Sequence, residues 1–295
     1  MAHASSSVET VLGKKNASQL GRTLTHEHLS LNFATFYVQP PDHLKRFLDD
    51  KIELRNVGML KQYPYSNPYN LIYNDQCTEE AILEDVRLYK EFGGGTIVEN
   101  SNYGLQRNIP FMRKVSQVTG INVIAGTGYY VSATQTKEDL LKEDMYDVML
   151  KEMTIGCEEY PDVKTGFIGE VGSTWPITRT ILSPEDLLEF ADDVKCYCQF
   201  DLFGCECSFY QLNPSVDMIS DAQRIDRVKY FQNDQKLDRV LLSHDIHTKH
   251  RLMKFGGHGF SHILNNVVPR MTLKGFTSEE IDTLTIHNPR TWLTS

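Results

Sequence analysis

Gly21-Arg22-Thr23-Leu24-Thr25-His26-Glu27-His28 reads as a short strand that delivers two histidines at its C-terminal end. Strand side chains repeat every two residues, so His26 and His28 project to the same side. Two imidazoles converging from one strand end suit a divalent transition metal. A pair of surface histidines in a polar turn would be spelled the same way. Two acids further along tip the balance. Glu170 lies inside Ile168-Gly169-Glu170-Val171-Gly172, where an unpaired buried carboxylate would be costly, and Asp245 follows Val240-Leu241-Leu242-Ser243-His244. Each ends a strand-like apolar run. His244 and His247 flank Asp245, either able to support it, and Glu99 reads as a supporting or ion-paired acid rather than a ligand.

Between these points the chain alternates. Strands are expected over 20–25, 96–99, 122–126, 165–171, 194–200 and 239–243, six in all. Helices are expected over 78–92, 108–119, 136–155, from Ser183-Pro184-Glu185 onward, over 214–236 and over 277–284. Gly93-Gly94-Gly95 reads as a helix stop, as does Gly120. Val8, Val11 and Leu12 suggest an outer hairpin strand. Residues 37–75, broken by Pro40, Pro41, Pro64 and Pro68 and crowded with tyrosines, read as a long loop with a short helix near 43–50. Such a loop lines or covers a site, or packs its aromatics over the barrel mouth. Apolar strands alternating with helices imply a parallel sheet covered on both faces. The class is α/β, one domain over 1–295, and a barrel suits site residues that converge from distant strand ends.

Composition bounds the function. Of 295 residues, 40% are hydrophobic and 23% charged, the balance of a globular protein with a sizeable core. A net charge of −9 argues against nucleic acid or an anionic membrane as partner and leaves a small-molecule substrate. No signal-type segment and no apolar run of the ~20 residues a span needs is found, so a cytoplasmic protein is expected; a homo-oligomer stays open. The two C-x-C pairs, Cys196/Cys198 and Cys205/Cys207, are spaced more closely than zinc loops and read as core thiols.

Thr-His-Glu-His at 25–28, Gly-Gly-Gly-x-x-Val-Glu-Asn at 93–100, Gly-Phe-Ile-Gly-Glu at 166–170 and Ser-His-Asp-Ile-His-Thr-Lys at 243–249 resemble the phosphotriesterase-related proteins. So do Tyr197 with Asp-Leu-Phe-Gly at 201–204, Gly-Gly-His-Gly-Phe-Ser-His-Ile at 256–263, and Asn-Pro-x-x-Trp-Leu at 288–293. The resemblance implies a TIM-barrel, (β/α)8-type, metal-dependent hydrolase of the amidohydrolase superfamily. In that family a first-strand His-x-His, a fourth-strand acid, histidines from strands five and six and an eighth-strand aspartate hold two divalent ions, zinc by default. Matched residue by residue, this implies His26 and His28 as the first-strand pair, Glu170 as the bridging acid, Asp245 as last-strand ligand and proton acceptor, and Tyr130 as a pocket-lining residue. The implied reaction is attack of metal-activated water on an ester or amide, with N-acyl amino compounds such as N-acetyltaurine as the alternative substrates.

The strand-five and strand-six histidines have no counterpart. Thr178 passes straight into Arg179-Thr180-Ile181-Leu182-Ser183, which resembles the segment after the family's next strands. An internal deletion near 178–180, about two β-α units, is therefore expected. It implies at most one ion, a barrel left incomplete at about six strands, lowered stability, and a catalytically impaired form as a further alternative.

Overall fold

The computed structural model describes residues 6–135, 145–168, 174–176, 183–194, 196–205 and 207–294. The chain opens with an antiparallel hairpin, β1 (Ser7–Thr10) and β2 (Gly13–Asn16), with Val8 and Val11 buried and Leu12 exposed at the turn. Strands β3 (Arg22–Glu27), β4 (Gly94–Glu99), β5 (Asn122–Thr127) and β6 (Phe167–Ile168) form a parallel sheet in chain order. A second parallel sheet holds β7 (Thr174–Pro176), β8 (Tyr197–Phe200) and β9 (Val240–Leu242). Helices Gln76–Glu91, Ile109–Thr119 and Asp221–Asn233 connect successive strands. Ile97-Val98, Val123-Ile124-Ala125 and Val240-Leu241-Leu242 are buried throughout, because helices on one side and barrel-facing side chains on the other cover both faces.

Strand β9 returns to β3. Thr25 Oγ1 donates to Leu242 O at 3.2 Å, the His26 N–H donates to Ser243 Oγ at 2.9 Å, and the Asp245 N–H donates to His26 O at 3.0 Å. This seam is made by single bonds rather than a ladder, and among the described residues the strands do not close into a complete cylinder. No described helix is long and apolar enough to cross a membrane.

The expected elements need four corrections. Thr174–Pro176 is a strand that the sequence did not suggest, so the described residues hold seven parallel segments where six were expected. The expected strand 165–171 is seen as Phe167–Ile168, and the expected helix 136–155 as Met145–Thr154; the remainder of each falls partly or wholly outside the described residues. The helix expected from 214 begins only at Asp221. Ser220 caps it, exchanging side-chain and backbone bonds with Gln223, while a Phe209–Asp217 bridge closes a run of turns in the preceding chain. Finally, Gly93-Gly94-Gly95 does more than stop a helix. Gly94 already belongs to β4, and a Cβ on Gly95 would stand 2.2 Å from Leu20 O. The glycine lets the backbones at the start of β3 and β4 meet.

Helix Gln76–Glu91 also buries a carboxylate. Asp85 accepts the Met253 N–H at 3.1 Å, and burial pushes its pKa up to about 7. A carboxyl raised in the folded state binds a proton that the unfolded chain has released, so stability falls as pH rises from about 4 through 7. Asp85→Asn keeps the acceptor and removes the charge. Thermal unfolding at pH 8.5 is expected to show the variant more stable than the parent, with the gap narrower at pH 5.5 and closed only near pH 4. An equal gap at both values would contradict this reading of Asp85.

Candidate metal centre

The pleat of β3 turns His26 and His28 to one side at its C-terminal end, where both are buried. The seam with β9 brings Asp245 to them from more than 200 residues away. Asp245 Oδ1 lies 3.7 Å from His26 Nε2 and 3.3 Å from His28 Nε2, and one ligand atom of each residue falls within 4.8 Å of the others. Three donors that sit about 2.0–2.2 Å from a shared cation need this kind of spacing. Asp245 has φ +53, a left-handed conformation that aspartate tolerates better than most side chains. Arg251 fixes that turn, donating from Nη1 to Asp245 O at 2.5 Å and from Nη2 to His244 O at 2.7 Å.

The far nitrogens of both histidines are held. Ser101 Oγ lies 2.7 Å from Glu99 Oε1 and 3.0 Å from His28 Nδ1. With the hydroxyl donating to Glu99 and accepting from Nδ1–H, His28 Nε2 keeps its lone pair for a cation. Burial drives the Glu99 pKa up, against the pull of His28 and the Ser101 donors. Gln199, near the end of β8, sets its amide Nε2 2.6 Å from His26 Nδ1, and the two amide ends exchange by a flip about the terminal torsion. Turned so that Oε1 accepts from Nδ1–H, it leaves His26 Nε2 free in the same way. Glu99 stands behind Ser101, which also contacts His28, and not in the cluster itself. Ser101 and Gln199 were missed: Gln199 hides in the apolar run Tyr197-Cys198-Gln199-Phe200, and its only signal is a polar residue near a strand end. Ser101→Ala is expected to weaken divalent-metal affinity about 10–100-fold while leaving the melting curve near the parent's. Competition with a metal chelator measures it, and unchanged affinity would remove Ser101 from the centre.

Glu27 turns the opposite way from the histidines and closes the seam. Its Oε1 accepts from the His244 N–H at 2.8 Å and from His244 Nδ1 at 2.7 Å, with Ser243 Oγ at 2.8 Å; its Oε2 accepts from the Ile246 N–H at 3.0 Å. Burial raises its pKa, but His244 and these donors outweigh burial and hold it below the usual value. His244 Nε2 accepts the Ile263 N–H at 3.1 Å, so the ring is neutral with its proton on Nδ1, and burial keeps its pKa low. Burial likewise pushes Asp245 up, yet the imidazoles of His247 and His26 hold it well below the carboxylate range. His247 Nδ1 lies 3.1 Å from Asp245 Oδ1, and its Nε2 lies 3.1 Å from the Tyr65 hydroxyl. The segment 37–75, expected as a loop with one short helix near 43–50, instead holds Lys45–Leu48, Val57–Gln62 and Pro68–Leu71, and it reaches the site through Tyr65.

Glu170 lies outside the described residues. Tyr130 is half-buried with its ring 6.4 Å from Phe33 and 6.0 Å from Phe36, and Phe33 lies 5.0 Å from His247. It belongs to an aromatic wall beside the centre. Cys196 and Cys198 are core thiols as expected, whereas Cys205 and Cys207 line clefts next to the centre rather than the strand core.

Parallel strands with two histidines and an aspartate gathered at their C-terminal ends define an α/β protein of barrel type, with a donor set that could hold a divalent cation at its rim. The sequence profile of the Phosphotriesterase family matches residues 6–183 and 179–293. A phosphotriesterase-related protein of Aedes aegypti is 42% identical over 337 aligned positions, covering 93% of this chain and 94% of that protein. The chain therefore belongs to the phosphotriesterase family, whose members are binuclear metal hydrolases. Two solved structures share the fold: a resiniferatoxin-binding protein from Rhodobacter sphaeroides (TM-score 0.86, 22% identity, 98% and 95% covered) and a phosphotriesterase homology protein from Escherichia coli with phosphate in its active site (TM-score 0.71, 22% identity, 93% and 99% covered). The Aedes alignment, at 337 positions, is longer than this chain of 295 residues, and the family profile fits it in two pieces that meet at 179–183.

Proposed function

We propose that this chain is a divalent-metal-dependent hydrolase of esters or amides, with His26, His28 and Asp245 holding the metal and zinc as the default ion. The convergence of those three buried side chains carries the reading. A cation bound there would polarise the scissile carbonyl or phosphoryl oxygen and lower the pKa of water towards ~7. Asp245 accepts the proton released by the attacking water at its carboxylate, and His247, backed by Tyr65, orients that carboxylate. Ser101 and Gln199 keep the histidines turned inward, and the aromatic wall of Phe33, Phe36 and Tyr130 shields the reacting group from bulk water. The substrate is a small molecule; phosphotriesters and N-acyl amino compounds are the two classes to compare.

A second reading concerns capacity. The two-piece family match and the missing histidines support an internal deletion near 178–180, hence one ion at most and slow turnover. Elemental analysis of the purified chain, beside phosphotriesterase and N-acyl amidase assays, tests both. About one divalent ion per chain with metal-dependent hydrolysis supports the first reading, and one ion without turnover the second. No ion under metal-replete conditions would remove the hydrolase reading.

A further inference from the structure

Pro64-Tyr65-Ser66-Asn67-Pro68-Tyr69-Asn70 folds against the turn that follows Asp245. Asn67 caps the short helix Pro68–Leu71, its side chain accepting the Asn70 N–H at 2.8 Å, and Pro68 opens that helix where no N–H is needed. Asn67 Nδ2 also donates to Leu48 O and Asp50 O, both at 2.7 Å. Asn70 is thereby fixed, and its side chain is fully buried. The Asn70 amide joins two chain segments. Its Oδ1 accepts the His250 N–H at 2.9 Å, and its Nδ2 donates to Pro64 O at 2.7 Å. One partner is a backbone donor and the other a backbone carbonyl, so the two amide ends cannot be exchanged. Aspartate would set an oxygen against the Pro64 carbonyl, and an aliphatic side chain would leave both backbone groups unpaired.

Tyr65 is gripped from its other side by a second buried amide. The Tyr65 N–H donates to Gln211 Oε1 at 2.9 Å, and Gln211 Nε2 donates to Ser66 Oγ at 2.5 Å. These bonds bear on the metal centre through one ring. The Tyr65 hydroxyl lies 3.1 Å from His247 Nε2, and the two rings stack with centroids 6.1 Å apart and planes inclined by 12°. His247 Nδ1 in turn reaches Asp245 O at 2.7 Å and Asp245 Oδ1 at 3.1 Å. Asn70 thus holds the backbone on both sides of the Tyr65–His247 contact, at Pro64 and at His250. Lys249, ion-paired with Asp75, ties the same turn to the same segment once more.

The geometry points to Asn70 and Gln211 as positioning residues for the hydrolytic site: the two amides hold Tyr65 against His247 and so set where the Asp245 carboxylate stands. This role rests on the function proposed above. Neither amide touches the reacting atoms, and each acts only through the Tyr65–His247–Asp245 contacts.

The test compares Asn70→Asp, which keeps the size and the bond to His250, with Gln211→Leu and Tyr65→Phe in the full-length chain. Asn70→Asp and Gln211→Leu are each expected to lower kcat about tenfold or more with KM nearly unchanged, since the outer partners of metal-site residues are worth about 10–100-fold. Cobalt(II) loaded into the metal-free protein gives a readout besides turnover: its visible absorption should shift in both variants and in Tyr65→Phe. Once Tyr65 is replaced by phenylalanine, either amide substitution should add little, because residues that act through one contact are not additive. A merely structural role would lower the melting temperature and leave kcat and the cobalt spectrum of the folded protein as in the parent. Parent-like kcat and spectra in both amide variants, or effects that add in full to Tyr65→Phe, would overturn the proposal. If one variant does not fold, the other decides. A parent chain that binds cobalt without hydrolysing anything counts against the proposed function alone, and the spectra still decide the amides. A parent that binds no cobalt overturns both.

Discussion

Asp245→Asn is expected to lower kcat/KM for metal-dependent hydrolysis by about 10²–10⁴-fold, the range associated with losing a general acid or base, and to lower metal content with it. The substitution is unusually clean. Asn tolerates the left-handed backbone at φ +53 as well as Asp does, so the turn after β9 keeps its shape. The amide can still accept from His247 Nδ1, and the backbone bonds to His26 O and Arg251 survive. What disappears is the anionic oxygen that faces both His26 Nε2 and His28 Nε2. Steady-state kinetics with elemental analysis checks it. Activity within tenfold of the parent and full metal occupancy would mean that the base and the ligand lie elsewhere.

Glu27→Ala is expected to destabilise the fold by about 3–5 kcal/mol, because several buried donors lose their acceptor at about 1–3 kcal/mol each. Two N–H groups of the backbone, a ring N–H and a hydroxyl converge on this carboxylate at 2.7–3.0 Å, and alanine would leave them without an acceptor inside the seam. The pH dependence has a definite sign. Since the folded-state pKa of Glu27 is depressed, its contribution is fully present above the unfolded value of about 4.5 and is lost as pH falls. Denaturant melts at pH 7 and at about pH 3 should therefore differ less in Glu27→Ala than in the parent. A loss under 1 kcal/mol at pH 7 would show that water replaces the carboxylate and that the seam does not depend on it.

Much of this architecture could be read from the letters alone. Continuous apolar runs such as Val123-Ile124-Ala125 and Val240-Leu241-Leu242, separated by amphipathic helices, require a parallel sheet because both strand faces must be covered. His26 and His28 sharing a side follows from a two-residue period, and Asp245 at a strand end follows from where an apolar run stops. These are local properties, carried by spacing along the chain. The partners of those side chains are not local. No period links Glu27 to residues 243–246 or Gln199 to His26; each pair exists because β9 returns to β3 and the ends of β3, β8 and β9 come together. The short strand Thr174–Pro176 escaped for a related reason, since three residues hold too little pattern to stand out without their neighbour β8. The sequence by itself thus determined the alternating elements and placed two histidines and an aspartate at strand ends. The seam and the hydrogen bonds that orient the histidines were decided only by tertiary structure, because hydrogen bonding acts through distance in space, whereas periodicity records only distance along the chain.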